Sequence, residues 1–175
     1  TESIAHRGPD DQGIYINRQA GLGARRLSII DLASGHQPIP NEDQTMWITF
    51  NGEIYNYKEL RDLAIHKGHR FRTHCDTEVI LHLFEEFGPD CLHHLSGIFA
   101  FAIWDERKKE LFVARDRMGI KPLYYSETKS FFIFGSEMKS LMKHPEINRD
   151  ISLTSLNQYL TFEYVPTPST ILKNV

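Results

Sequence analysis

An uninterrupted apolar run at residues 97–104, GIFAFAIW, constrains the fold more than any other part of the sequence. A strand with one solvent-facing side alternates apolar and polar residues, whereas this run is apolar throughout, so both of its faces should be covered. A second apolar run at 111–114 follows a polar tip at 105–109, which predicts an antiparallel hairpin. A similar run lies at 131–134. The pattern predicts antiparallel sheets that pack on each other and are also covered by helices, an α+β fold with four αββα layers.

Shorter segments have the periodicity of strands and of amphipathic helices. We predict strands at 13–17, 22–30 and 46–50, and helices at 57–67, 77–87, 137–143 and 153–160. Asp76 stands where the N-cap of the second helix belongs. Pro166 and Pro168 then interrupt the pattern. We therefore expect one domain over 1–150, lacking its first strand, and the start of a connection to an absent domain over 151–175.

Charge and hydropathy exclude two classes of partner. With 20 basic and 23 acidic residues the net charge is -3, and no basic cluster suggests a nucleic-acid ligand. Apolar runs stop at about seven residues, well below the roughly 20 that a membrane span needs. The first residues do not resemble a secretory signal. Two cysteines are too few for a disulfide framework and are typical of a reducing compartment, so we expect a cytoplasmic protein.

Three polar positions have both a structural and a chemical interpretation. Asn51-Gly52 is a common turn signal, yet a side-chain amide and an adjacent glycine N–H can also donate to one oxyanion. Arg26 lies in an apolar strand, where it either reaches the surface or binds a carboxylate in a bidentate manner. Asp76 either caps a helix or receives an ammonium group.

Six motifs occur in an order that resembles a known family. They are RGPDD at 7–11, RLSIID at 26–31, GHQP at 35–38, NGEIYN at 51–56, DTEVIL at 76–81 and ARDRMGIKPLYY at 114–125. Together they resemble the glutaminase domain of glutamine-hydrolysing asparagine synthetases, a class II glutamine amidotransferase. The resemblance implies the four-layer αββα fold of N-terminal nucleophile hydrolases and covers the whole chain.

The resemblance also implies a reaction and a set of site residues. In such domains a processed N-terminal cysteine attacks the side-chain amide of glutamine, and its α-amino group takes the thiol proton. The Asn51 side chain and the Gly52 N–H would form the oxyanion hole. Arg26 would bind the substrate α-carboxylate, and Asp76 with Glu53 the α-ammonium. The implied glutamine-binding set is Arg26, Ile29, Ile30, Asn51, Gly52, Glu53 and Asp76.

The implied partners are L-glutamine and a C-terminal synthetase domain. ATP and magnesium are expected in that synthetase domain, and no cofactor or metal in this one. A homodimer is left open. Because the sequence starts at Thr1, six residues before Arg7, we expect the polypeptide as given to lack the nucleophilic cysteine and to be inactive. The alternative function is a non-catalytic scaffold, as in β-lactam synthetase.

Other candidate sites in the sequence are weaker. Thr1 could be mistaken for a nucleophile, but it falls in the segment that leads into RGPDD. His74 and Cys75 are adjacent, and adjacent strand residues point to opposite faces. The spacing of His66, His69 and His74 matches no standard metal site. Residues 115–121 lack the glycine pattern of a phosphate-binding loop, and the resemblance implies a structural turn there.

Overall fold

The structure, a computed structural model, describes residues 1–27 and 35–175, which form two compact units, Thr1–Lys121 and Pro122–Val175. The strands of the first unit are β1 (Asp11–Ile16), β2 (Gly21–Arg26), β3 (Ile39–Pro40), β4 (Met46–Ile54), β5 (Gly97–Asp105) and β6 (Glu110–Arg115). Its α-helices are α1 (Tyr57–His66) and α2 (Asp76–Phe87), and short 3₁₀ helices lie at Glu2–Arg7 and Gly88–His93.

The first unit contains a four-stranded antiparallel sheet in the order β3-β4-β5-β6. The predicted hairpin is confirmed, since β5 pairs directly with β6 and Trp104 lies opposite Leu111. Residues 99–105 of β5 are all buried, as the apolar run predicts. Residues 111–113 are only half-buried. The expectation of two fully covered faces is therefore wrong for β6, which forms an edge of this sheet.

Helices α1 and α2 enclose the main core against the sheet. Ile48 and Ile54 of β4 are fully buried in one cluster with Val79, Ile80 and Leu83 of α2. Burying an aliphatic side chain of this size contributes about 1.5–3 kcal/mol. The first eight residues of α2 are all buried, so this helix is held along two full turns. Its N-terminus is thereby fixed against β4.

The start of α2 differs from the prediction by one residue. The helix begins at Asp76, and Cys75 occupies the N-cap position. Asp76 is therefore not the predicted N-cap. Its Oδ2 atom instead accepts the N–H of Ile54 at 3.0 Å, because no described strand pairs with that edge of β4. The carboxylate thus joins helix and strand.

Strands β1 and β2 form an antiparallel pair. β2 contacts β4, and the Tyr15 ring of β1 stacks on Trp47 of β4, with ring centroids 4.2 Å apart. Trp47 lies on the sheet face opposite to Ile48, so the β1–β2 pair and the helices contact opposite faces of β4. The strand predicted at 22–30 is observed over Gly21–Arg26, and its last residues lie outside the described ones.

The second unit contains the hairpin of β7 (Tyr124–Glu127) and β8 (Phe132–Gly135), then α3 (Met138–Leu141) and α4 (Leu153–Phe162). Strand β7 is not predicted from the sequence. Phe131 and Phe132 are 48% and 45% exposed, so the run at 131–134 is not covered on both faces. An isolated bridge joins Ile151 to Leu172. The predicted boundary at residue 150 stays a prediction. None of the described helices combines the length and the apolar character needed to cross a bilayer.

Candidate active site

The end of β4 places the NGEIYN motif along an open edge of the sheet. Beyond the short pairing with β3 at residues 47 and 48, this edge carries no further strand in the described structure. Backbone N–H groups of an antiparallel strand alternate between its two sides. Phe50 N–H donates to Gln37 Oε1 at 2.8 Å. Ile54 N–H donates to Asp76 Oδ2 at 3.0 Å. The alternation directs the Gly52 N–H to the same edge, between these two.

Asn51 carries a donor that no acceptor of the described residues satisfies. Its side chain lies on the sheet face opposite to Ile48 and Ile54. Its Nδ2 atom is buried, and no hydrogen-bond acceptor among the described residues contacts it. A buried unpaired donor typically costs about 1–3 kcal/mol. Such a cost is expected where a ligand oxygen completes the bond.

Gly52 allows β4 and β5 to approach closely. It pairs with Phe99, and a Cβ atom at Gly52 would lie 2.2 Å from the Ile98 carbonyl oxygen and 2.8 Å from Phe99 Cα. The strand predicted at 46–50 continues to Ile54, so Asn51-Gly52 forms no turn. The turn interpretation is wrong because the ladder with β5 overrides the local preference of Asn-Gly. The glycine is required for space between strands.

Asp76 and Glu53 form a pair of carboxylates at the end of β4. Asp76 is almost fully buried, and Glu53 is exposed. Burial raises the pKa of Asp76 and the charge of Glu53 raises it further, although backbone N–H groups, Ile54's among them, oppose the shift. The largest contributions to this pKa come from burial, backbone N–H groups and Glu53, and none of these is a cation. A cationic ligand would relieve both the burial and the repulsion.

Arg26 ends β2 and contacts residues of the motifs at 7–11 and 35–38. Its backbone forms a bridge with Pro9, and its carbonyl accepts the Asp10 N–H at 3.2 Å. A Cβ atom at Gly8 would lie 2.3 Å from the Arg26 backbone nitrogen. A Cβ atom at Gly35 would lie 2.4 Å from Arg26 Nη2, so the guanidinium lies directly against that glycine. Residues of the motifs at 7–11 and 35–38 therefore position this arginine.

The structure places four of the predicted site residues at one end of β4, and two others lie outside the described residues. Asn51, Gly52 and Glu53 are consecutive in β4, and Asp76 contacts the same strand end. Strand β2, which ends at Arg26, contacts β4. Ile29 and Ile30 lie outside the described residues.

Gln37 is a positioning residue that the sequence analysis does not identify. Its side chain is buried, its Oε1 accepts the Phe50 N–H at 2.8 Å, and its Nε2 donates to Thr77 Oγ1 at 3.3 Å. Gln37 thereby connects β4 to the start of α2. Its place in the GHQP motif was the available signal, but a glutamine in a loop suggests no particular partner.

Neither cysteine has the properties of a nucleophile. Cys75 is buried and its Sγ lies 2.9 Å from Thr73 Oγ1. Burial raises the pKa of Cys75, and it raises the pKa of Cys91 to about 12. Thiolates are the reactive species, and both environments disfavour them. The His74–Cys75 pair therefore offers no hydrolytic site.

The segment 115–121 is a turn stabilised by its own side chains. Asp116 Oδ1 accepts the Ile120 N–H at 2.9 Å, and Oδ2 accepts the Lys121 N–H at 3.0 Å. Gly119 adopts a positive φ of 64°, and Arg115 Nε donates to the Lys121 carbonyl at 2.6 Å. These bonds occupy the donors that a phosphate would need. The structural interpretation of this segment agrees with the geometry.

Comparisons with known proteins point to one family. A family model described as a glutamine amidotransferase domain matches residues 1–175. The chain is 46% identical over 170 residues to asparagine synthetase [glutamine-hydrolyzing] 1 of Bacillus subtilis, covering 97% of this chain and 27% of that protein. It is 49% identical over 140 residues to asparagine synthetase [glutamine-hydrolyzing] 1 of Arabidopsis thaliana, covering 79% of this chain and 24% of that protein. The chain thus spans about a quarter of the length of these relatives.

A solved structure agrees on the fold. The glutamine phosphoribosylpyrophosphate amidotransferase of B. subtilis, complexed with ADP and GMP, is 26% identical with a TM-score of 0.59. The likeness covers 70% of this chain and 28% of that one. It confirms the predicted α+β sandwich of the N-terminal nucleophile hydrolases.

Proposed function

Because the chain belongs to the glutamine amidotransferase domain family, we propose that it binds L-glutamine and supplies the ammonia-releasing half of an asparagine synthetase. In the complete protein, a thiolate attacks the side-chain carbonyl carbon of glutamine. The tetrahedral intermediate collapses to a glutamyl thioester and ammonia, and water then releases glutamate. The ammonia would amidate aspartate in an ATP-dependent step.

The buried, unpaired Nδ2 of Asn51 is the observation that carries this proposal. An oxyanion develops on the substrate carbonyl only as the nucleophile attacks. A preorganised donor at that position stabilises the transition state more than the ground state. The Gly52 N–H, directed to the open edge of β4, is the second donor. Loss of one such donor typically lowers kcat about 10²–10³-fold.

The charged residues suit the two ends of an amino acid. The Arg26 guanidinium offers paired donors to the α-carboxylate. The carboxylates of Asp76 and Glu53 would receive the α-ammonium, whose charge favours the ionised form of Asp76. Backbone groups of Ile29 and Ile30 would complete the pocket. Fixing both ends places the side-chain amide at a set distance, which is how Asn51 would select glutamine over shorter amino acids.

The nucleophile is proposed to be a processed N-terminal cysteine of the complete protein. An α-amino group has a reference pKa of about 7.7–8.0, which suits it to take the thiol proton near neutral pH. Cys75 and Cys91 are buried and have raised pKa values, so neither is proposed as the nucleophile. Two free cysteines suit a reducing compartment such as the cytoplasm.

A synthetase domain is the proposed partner. ATP and Mg²⁺ would bind there rather than in this chain. Helix α4 presents large apolar side chains to solvent, with Leu153 77% and Leu160 73% exposed. Exposed apolar surface of this kind is typical of a contact with another protein surface. It supports a fused partner next to the second unit.

The test compares glutamine-dependent and ammonia-dependent activity of the complete protein. Asn51→Ala should lower kcat for glutamate release about 10²–10³-fold with little change in KM. Asn51→Asp keeps the size of the side chain but places a carboxylate at the oxyanion, and should lower kcat further. Asn148→Ala, an exposed site in the second unit, is the control and should leave both activities intact.

Ammonia-dependent synthesis reports on folding, because it bypasses the oxyanion hole. Unchanged glutaminase activity in Asn51→Ala would refute the assigned role. If the wild-type protein uses free ammonia but releases no glutamate from glutamine, the domain is a scaffold and the alternative function holds.

A further inference from the structure

Two histidines and two glutamates from three parts of the first unit converge away from the glutamine pocket. Glu42 lies between β3 and β4, His69 lies between α1 and α2, and His82 and Glu85 lie on α2. One ligand atom from each residue lies within 4.8 Å of the others, and we refer to these four residues as the His82 cluster. His82 is fully buried, and the other three are half-buried.

The four side chains lie close enough to share one metal ion. His82 Nδ1 lies 2.8 Å from Glu85 Oε2 and 3.5 Å from Glu42 Oε2. His69 Nδ1 lies 3.7 Å from Glu85 Oε2 and 3.3 Å from the other carboxylate oxygen of Glu42, Oε1. Two ligand atoms bound at about 2.0 Å in a tetrahedron are about 3.3 Å apart. One ligand atom from each residue lies within 4.8 Å of the other three, so binding an ion requires the four side chains to move closer together.

The atoms that would not bind the ion contact supporting groups. His69 Nε2 lies 3.2 Å from Glu86 Oε1, and His82 Nε2 lies 3.7 Å from the buried carboxylate of Glu78. Glu85 Oε1 accepts from Asn41 Nδ2 at 2.6 Å. Carboxylates behind the distal nitrogens orient metal-binding histidines, and hydrogen bonds orient metal-binding carboxylates. Here His69 directs Nδ1 into the cluster and Nε2 to Glu86, whereas His82 Nε2 is buried and makes no hydrogen bond within the described residues.

Charge favours a dication in the cluster. Two carboxylates and two neutral imidazoles carry a formal charge of about -2, which a divalent ion neutralises.

We propose that Glu42, His69, His82 and Glu85 bind one divalent transition-metal ion, for which Zn²⁺ is the best match. Imidazole and carboxylate ligands suit zinc, and four protein ligands indicate a structural rather than a catalytic site. Asp76 precedes His82 by six residues, about 9 Å along the helix axis. The ion would thus fasten α2, the helix that carries Asp76, to the loops on both sides of it.

The experiment is a Co²⁺ and Zn²⁺ titration of the purified protein after treatment with a chelator. We expect one equivalent of Co²⁺ to give visible ligand-field absorption bands that Zn²⁺ abolishes. His69→Gln and Glu42→Gln should each weaken Co²⁺ binding about tenfold or more. His93→Gln removes an exposed histidine outside the cluster and is the matched control. Zn²⁺ should raise Tm of the wild type and of the control, and less so that of the two cluster variants.

Calorimetry adds a second readout, in which Zn²⁺ should bind the wild type and the control with one ion per chain. Absence of stoichiometric binding at pH 7–8 would overturn the proposal, and so would full affinity in His69→Gln. If His69→Gln fails to fold by circular dichroism, Glu42→Gln decides, because that side chain lies in a partly exposed loop.

Discussion

Gly52→Ala tests whether the close approach of β4 and β5 is needed for both stability and substrate binding. The added Cβ would lie 2.2 Å from the Ile98 carbonyl oxygen, roughly 1.2 Å short of the 3.4 Å at which ordinary contact begins. The obstacle is backbone on a central strand, so no side-chain rotation relieves it. The two strands have to separate locally.

The magnitude follows from the pairs on either side of Gly52. Asn51 pairs with Ala100 and Glu53 with Ile98. A separation of about 1 Å stretches a bond of about 2.9 Å beyond the hydrogen-bond range. Two lost ladder bonds cost about 1 kcal/mol each, and overpacking costs about 1–3 kcal/mol. We expect a loss of about 3–5 kcal/mol in the free energy of unfolding.

The assay is urea unfolding of the protein together with a glutamine titration. Gly21→Ala is the matched control, because Gly21 also lies in a strand but its Cβ would meet nothing nearer than Ile16 Cγ1 at 3.9 Å. That variant should be neutral or up to about 1 kcal/mol more stable. If Gly52→Ala and Gly21→Ala unfold within about 0.5 kcal/mol of each other, the role assigned to Gly52 is wrong.

Three further predictions concern buried polar groups. Burial raises the pKa of Asp76, so its contribution to stability is present at low pH and is lost as pH rises through the folded-state pKa. Asp76→Asn should therefore raise Tm at pH 7. The same variant should weaken glutamine binding in calorimetry. Asp116 accepts three backbone N–H bonds, so Asp116→Ala should cost about 2–4 kcal/mol in urea unfolding. Because the pKa of Asp116 is lowered, this contribution is lost as pH falls through the folded-state pKa. The difference in free energy of unfolding between the wild type and Asp116→Ala should therefore be smaller in acid. Iodoacetamide at pH 8 should leave Cys75 and Cys91 unmodified in the folded protein and alkylate both after denaturation, as mass spectrometry would show.

Local sequence patterns predict the elements that local interactions determine. The hairpin of β5 and β6 follows from two apolar runs and a polar tip, and both long helices of the first unit follow from their periodicity. Asn51-Gly52 shows the limit of such patterns. Asn-Gly favours a turn in isolation, but nine consecutive pairs with β5 keep β4 extended through it. A long-range pairing of this kind is invisible in a window of ten residues.

Sites assembled across elements are equally hard to predict from spacing. His69 is recognised in the sequence only beside His66 and His74, two exposed histidines, whereas its partner in the structure is His82 on another element. Glu42 comes from a third segment. Similarly, Asp76 is assigned to its own helix in the sequence, while its carboxylate bonds to β4. In each case the folded chain brings together residues that no short motif connects.

The alternation along β4 also predicts which changes this strand tolerates during evolution. The side chains of Ile48 and Ile54 pack into the core on one parity, and Asn51 faces the opposite side on the other. Substitutions at Ile48 and Ile54 would therefore lower protein abundance, whereas substitutions at Asn51 would lower turnover. A deletion of one residue within 46–50 would shift the register by one and turn the side chains on one side of the deletion to the opposite face of the sheet. Length variation among descendants should consequently be confined to the loops on either side of the strand, never within it.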